Sequence, residues 1–95
     1  MQIIKAWAPP LGSGWSKWTT IYSHWGQLGT FKATFETESD APSSFDIEIL
    51  EGGKTLSKKY VGPYSIKFSS KDCYCKTKVR FKSHFAGQII RIEVQ

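Results

Sequence analysis

Apolar and polar residues alternate along most of the chain with a period of two, and no stretch has helical period. Phe31, Ala33 and Phe35, for example, are separated by polar residues. This alternation is typical of antiparallel strands that bury one face and expose the other to water. It predicts strands at residues 2–8, 17–24, 28–38, 44–51, 54–61, 64–69, 73–84 and 87–94.

The segments between these runs are rich in turn-forming residues. Gly52-Gly53 is typical of a two-residue hairpin turn, and Gly62-Pro63 and Ala86-Gly87 indicate further tight turns. The chain has 95 residues, enough for one domain with a modest core. We therefore predict an all-β fold, a single antiparallel β-sandwich domain over residues 1–95 with about seven to eight strands, and a small β-barrel as the alternative.

Residues 73–85 place a cation at four successive outward positions of one predicted strand. A hairpin at Ala86-Gly87 would set Phe81 opposite Ile92, which keeps apolar residues on one face. Pairing with the strand at 64–69 on the other side would extend the same basic face. The predicted face holds six cations: Lys67, Lys76, Lys78, Arg80, Lys82 and Arg91. Such a face either keeps the sheet soluble or binds an anionic polymer.

The formal net charge of +5 and the sequence pI of about 9.3 agree with an anionic partner. The charge is uneven, since ten of the 13 Lys and Arg residues lie at or after Gly52. Six of the eight acidic residues lie between positions 36 and 51. The basic character therefore belongs to the C-terminal half of the chain.

All four tryptophans lie in the first 25 residues. Trp15 and Trp18 stand in a Gly/Ser-rich segment, and we predict that they are partly exposed and bind ligand. Indole rings stack on sugar rings and on nucleobases. We expect Trp7 and Trp25 to lie in the core instead, because a sandwich of this size buries one or two such side chains.

The two cysteines are predicted to be buried thiols. Cys73 and Cys75 are two residues apart on one strand, so their Cα atoms would lie about 6.5–7 Å apart, at the limit for a disulfide. A zinc site would need a second pair of ligands, and the spacing of His24 and His84 does not supply one. We expect neither a metal nor a cofactor.

The sequence contains no G-x-S-x-G, H-E-x-x-H or phosphate-binding glycine motif, so we expect no enzyme. The preferred hypothesis is a lectin-like or cell-surface module that binds a carbohydrate or an anionic polymer. The alternatives are a nucleic-acid-binding domain, a structural or protein-interaction domain and a small membrane-active toxin. No transmembrane segment is expected. The compartment stays open between the cytoplasm and a secreted form, which the lectin-like hypothesis favours.

Overall fold

The computed structural model describes residues 2–23, 30–38, 44–52, 57–69 and 76–95. Within these ranges the chain forms strands that lie in two antiparallel sheets packed against each other. In chain order the strands are β1 (Gln2–Ala8), β2 (Thr19–Ser23), β3 (Thr30–Thr37), β4 (Phe45–Leu50), β5 (Lys58–Gly62), β6 (Tyr64–Ser69), β7 (Lys76–Ser83) and β8 (Gln88–Val94). The predicted antiparallel β-sandwich is confirmed.

The first sheet has the strand order β1-β8-β3-β6, and the second has the order β2-β7-β4-β5. Strand β1 therefore pairs with β8, β2 with β7, β3 with β6 and β4 with β5. This nested pairing is the strand order of a jelly roll, in which an antiparallel ribbon winds into two sheets. The fold serves many unrelated functions, so it does not assign one.

The predicted pairing of β7 with β8 is wrong, and so is the predicted pairing of β6 with β7. Strand β7 lies between β2 and β4, whereas β8 lies between β1 and β3 and β6 pairs with β3. Residues 84–87 carry the chain from one sheet to the other rather than forming a hairpin. The physical reason is visible at Phe81, whose ring is 5.8 Å from Phe35 of the first sheet. Phe35 pairs with Ile92 within the first sheet. Phe81 and Ile92 therefore lie in different sheets, on opposite sides of the core, and not side by side as expected.

The core lies between the two sheets and is built from the inward residues of the alternating strands. Along β7 the inward side chains of Thr77, Val79 and Phe81 are buried, as the alternation predicted. The fully buried hydrophobic side chains include Phe35, Phe45, Phe81, Ile47, Ile90 and Ile92. The inward hydroxyl of Thr77 accepts a hydrogen bond from the backbone N–H of Gly52, so this polar group is satisfied inside the core.

The prediction that Trp7 belongs to the core is wrong. Trp7 lies on the outer face of the edge strand β1, beside Ile89 of β8, and is 55% exposed. Trp7 shares this face with Ile3 and Lys5, because residues two apart on a strand point the same way. The predictions for Trp25, Cys73, Cys75 and His24 concern residues outside the described ranges.

Candidate functional site

On the outer face of the second sheet, residues 15–18, here called the aromatic segment, lie beside the basic strand β7. Ser16 lies beside β7, because its backbone N–H donates to the carbonyl of Phe81 at 2.8 Å and its Oγ accepts from the N–H of Phe81 at 3.0 Å. Thr19 is the partner of Val79 in the pairing of β2 with β7. Continuing that register places Trp18 beside Arg80. Residues 16–19 therefore run along the edge of the strand that carries the four cations.

Two of those cations lie against the indole rings. The guanidinium carbon of Arg80 is 4.6 Å from the ring centroid of Trp18 and 5.1 Å from that of Trp15. The Nζ atom of Lys82 is 4.7 Å from the centroid of Trp15. These are cation–π distances. Trp18 is 38% exposed and Trp15 is half-buried, so the predicted partial exposure of both residues is confirmed.

Strand β4 places carboxylates between these cations and β5. Glu48 lies opposite Arg80 in the register, and the Nε and Nη2 atoms of Arg80 donate to Glu48 Oε2 at 2.9 and 2.8 Å. The hydroxyl of Ser57 donates to Glu48 Oε1 at 2.5 Å. Glu48 is only 6% exposed, so this carboxylate is a buried partner of the basic strand. The prediction from β7 alone could not include it, because the acid comes from a strand that is distant in the chain.

The environment of Glu48 keeps its carboxylate ionised. Burial by itself would raise the pKa of Glu48. The hydrogen bonds from Ser57 and Arg80, together with the positive charges of Arg80 and Lys59, outweigh that effect and hold the pKa below the ordinary glutamate value. The charge of Arg80 is therefore balanced within the protein.

The second carboxylate of β4, that of Asp46, begins a hydrogen-bonded row of side chains that continues through His84 to Ser44. Asp46 Oδ2 is 3.8 Å from Lys82 Nζ, and Asp46 Oδ1 is 2.6 Å from His84 Nε2. The other ring nitrogen of His84, Nδ1, is 2.5 Å from the Oγ of Ser44. With a hydrogen on Nε2 the ring donates to the carboxylate oxygen of Asp46, and Nδ1 accepts from the hydroxyl of Ser44.

Ser44, His84 and Asp46 are the residue types of a hydrolytic triad, but the two ring nitrogens of His84 are exchanged. In Ser-His-Asp hydrolases Nε2 faces the serine and Nδ1 faces the aspartate, whereas here Nδ1 faces Ser44 and Nε2 faces Asp46. These contacts hold Asp46 beside Lys82 and join the start of β4 to the end of β7.

The six predicted cations do not share one face. Those of β7, namely Lys76, Lys78, Arg80 and Lys82, point outward from the second sheet, whereas Lys67 of β6 and Arg91 of β8 point outward from the first sheet. Arg91 forms ion pairs with Glu93 at 3.0 Å and with Glu36 at 3.6 Å. The expected continuous basic face is therefore wrong, because β7 lies in the second sheet whereas β6 and β8 lie in the first. Whether any of the six binds a ligand stays a prediction.

Two depressions lie beside the aromatic segment. The first, here called the sheet groove, has a volume of about 430 Å³, and the second, here called the edge groove, has a volume of about 390 Å³. The sheet groove is lined by Trp15, Asp46, Lys59, Tyr60, Val61 and Lys82. The edge groove is lined by Trp7, Pro9, Trp15, Ser16, Lys17 and Thr19. Trp15 lines both grooves.

Comparison of the chain with protein-family models, with curated proteins and with solved structures finds no match. In the described ranges no three side chains of the His, Cys, Asp and Glu types come together as a metal site would require. The same part of the chain contains no helix with the length and apolarity that crossing a bilayer requires. The chemistry of the groove residues is therefore what supports a function.

Proposed function

We propose that the protein is a non-catalytic module that binds carbohydrate on the outer face of its second sheet. The observation that carries the proposal is that Trp15, Asp46 and Lys82 line one groove. A sugar presents apolar C–H faces, which stack on an aromatic ring, and hydroxyl groups, which both donate and accept hydrogen bonds. An aromatic plane beside a carboxylate acceptor and an ammonium donor matches both requirements.

The charge distribution of this face supports a carbohydrate over an anionic polymer. Polyanion binding depends on cations that neutralise phosphates or similar groups and release counterions. In the second sheet Arg80 is already paired with Glu48, and Lys82 lies 3.8 Å from Asp46. The sheet groove itself has two lysines against one aspartate among its lining residues. The interleaved acids weaken the attraction of this face for a polyanion.

The test is a binding panel of neutral glycans, heparin and single-stranded DNA, followed by tryptophan fluorescence at low and high salt. Trp15→Ala should weaken glycan binding by about tenfold, because covering about a third of the roughly 200 Å² of an indole is worth about 1.5 kcal/mol. Lys82→Gln should weaken it too, and the binding should change little with salt.

Lys67→Gln is the matched control, because it removes the same charge from the outer face of the other sheet. It should leave glycan affinity unchanged. If Lys67→Gln and Lys82→Gln weaken binding equally, and if affinity falls steeply with salt, the ligand is an anionic polymer and the carbohydrate proposal is wrong.

Exposed apolar side chains at one end of the sandwich favour a second candidate, a protein-interaction domain. Leu11 and Phe85 are joined by a backbone hydrogen bond of 2.8 Å and are 73% and 54% exposed. Trp7 and Ile89 form a neighbouring exposed pair. A contiguous apolar patch of this kind is typical of interfaces. Sedimentation equilibrium tests it, since self-association that Phe85→Asp abolishes supports this candidate and a monomer at all concentrations excludes a homodimer.

A further inference from the structure

We infer that the sheet groove and the edge groove form one binding track for a linear, neutral oligosaccharide, with Trp15 at its centre and Trp7 at one end. This inference rests on the proposed carbohydrate function. It adds the length of the ligand, its chemical class and a ligand-binding role for Trp7, a residue expected in the core because a sandwich of this size buries one or two tryptophans.

The continuity of the track comes from Trp15, which lines both grooves. From Val61 on β5 the lining residues pass over Asp46 on β4 and Lys82 on β7 to Trp15, which lies against β7. From Trp15 they continue to Trp7 on β1, the edge strand of the other sheet. The track thus crosses the strands instead of following one of them.

The length of the track exceeds that of one sugar. Neighbouring strands of a sheet lie about 4.8 Å apart, so the passage from β5 over β4 and β7 to the flanking aromatic segment covers roughly 14 Å before the edge groove begins. A pyranose ring is about as wide as one such spacing. The sheet groove therefore offers room for roughly three rings, and the edge groove extends it.

Trp7 is exposed but held in place. A Cβ atom at Gly87 would lie 2.4 Å from Cζ2 of the Trp7 ring and 3.2 Å from Cδ of Pro10. The indole therefore packs directly on the backbone at Gly87, next to Pro10. Its position is set before a ligand arrives, so binding need not order a loose side chain at that end, and this favours affinity.

The neutral class of the ligand is inferred from the aromatic residues of the track and not from its charges. The lining residues of the two grooves hold three lysines, Lys17, Lys59 and Lys82, against one acid, Asp46, and the contact of Lys82 with Asp46 at 3.8 Å offsets one of these charges. A chain of equatorially linked hexoses, such as a β-1,4-glucan, presents broad C–H faces at every ring, and these match the successive indoles of Trp15 and Trp7.

Isothermal titration calorimetry with cellobiose and cellohexaose tests the inference. The unmodified protein should bind cellohexaose about tenfold more tightly than cellobiose, because the longer chain also covers Trp7. Trp7→Ala should reduce that gain to the part contributed by the third ring in the sheet groove and leave the affinity for cellobiose unchanged. Trp7→Phe should keep part of the gain. Leu11→Ala, which changes another exposed apolar residue at the same end that lines neither groove, should change neither affinity.

The outcomes separate the two hypotheses. Binding of a glycan from the panel without any gain for cellohexaose over cellobiose overturns the track and leaves the proposed function standing. An unchanged gain in Trp7→Ala also overturns the track. A protein that binds no glycan at all overturns the proposed function and the track together. If Trp7→Ala lowers the melting temperature below that of the assay, the ratio of the two affinities in Trp7→Phe decides.

Discussion

The ion pair of Arg80 and Glu48 offers the sharpest perturbation of the site, because Arg80 also contacts the indoles of Trp15 and Trp18. Replacing Arg80 with Met keeps the length of the side chain and removes its charge and donors. Glu48, at 6% exposure, would then retain the hydrogen bond from Ser57 but lose both bonds to the guanidinium. A buried carboxylate without its cation is unstable.

The expected loss of stability is about 2–3 kcal/mol. Breaking a fully buried ion pair costs about 3–5 kcal/mol, because the remaining charge is left uncompensated. The side chain of Arg80 is 29% exposed, so water partly replaces the lost donors and reduces that figure. Screening reduces the contribution of the ion pair to about 1 kcal/mol, and the two lost cation–π contacts add about 0.5–1 kcal/mol each, which gives about 2–3 kcal/mol. For a domain of this size the change corresponds to a fall in Tm of about 10–20 °C.

A double-mutant cycle with urea denaturation measures the pairwise contribution. Arg80→Met and Glu48→Met should each destabilise the protein, and the double variant should be more stable than the sum of the two losses predicts. Replacing both partners with apolar side chains leaves no uncompensated charge. Arg80→Lys is the control for charge alone, and it should lose about half as much stability, since an ammonium does not reproduce the two-donor geometry.

A small loss of stability in Arg80→Met would contradict the energetic importance of the ion pair. If Arg80→Met stays within about 0.5 kcal/mol of the unmodified protein, the pair behaves as an exposed salt bridge and the burial of Glu48 has no energetic consequence. Additive losses in the cycle would show that the two side chains act independently.

Three further predictions follow from particular contacts. The lowered pKa of Glu48 means that its stabilising contribution is complete above the ordinary glutamate pKa and is lost as the pH falls through the folded-state value. From about pH 5 to pH 3 the unmodified protein should therefore lose more stability in urea than Glu48→Gln does. Gly62→Ala should lower the stability by about 1–3 kcal/mol, because its Cβ would lie 2.3 Å from the fully buried ring of Phe45; calorimetric melting measures it, and an unchanged Tm contradicts the packing. Gly87→Ala should displace Trp7, and calorimetric titration should then show weaker binding of cellohexaose but not of cellobiose; equal affinities to those of the unmodified protein would contradict the contact.

The strands and the direction of their side chains were predictable from the sequence. Period-two alternation is a local property, since successive residues of a strand point to opposite faces whatever the strand pairs with. This is why Val79 and Phe81 were assigned to the interior and the four cations of β7 to the exterior, and why the partial exposure of Trp15 and Trp18 in a polar segment could be expected.

The candidate site was predictable only in part. Two of its components, the indoles and the cations of β7, were identified as separate features. Their contact depends on residues 16–19 lying along β7, which joins positions more than 60 residues apart. The carboxylates of Asp46 and Glu48 carried no recognisable motif, since acids on the wet face of a strand are ordinary.

What the sequence determined by itself is which face of most strands is buried; the exception is β1, where Ile3 and Trp7 lie on the exposed face. The tertiary structure decided which strands share a sheet. An inward residue such as Phe81 is buried equally well beside Ile92 in the same sheet or across the core from it. The alternation of apolar and polar residues therefore cannot distinguish these two positions. Only the packing of two whole sheets distinguishes these arrangements. In the folded protein Lys67 and Arg91 lie in the other sheet from β7, and Trp15 lies against Lys82.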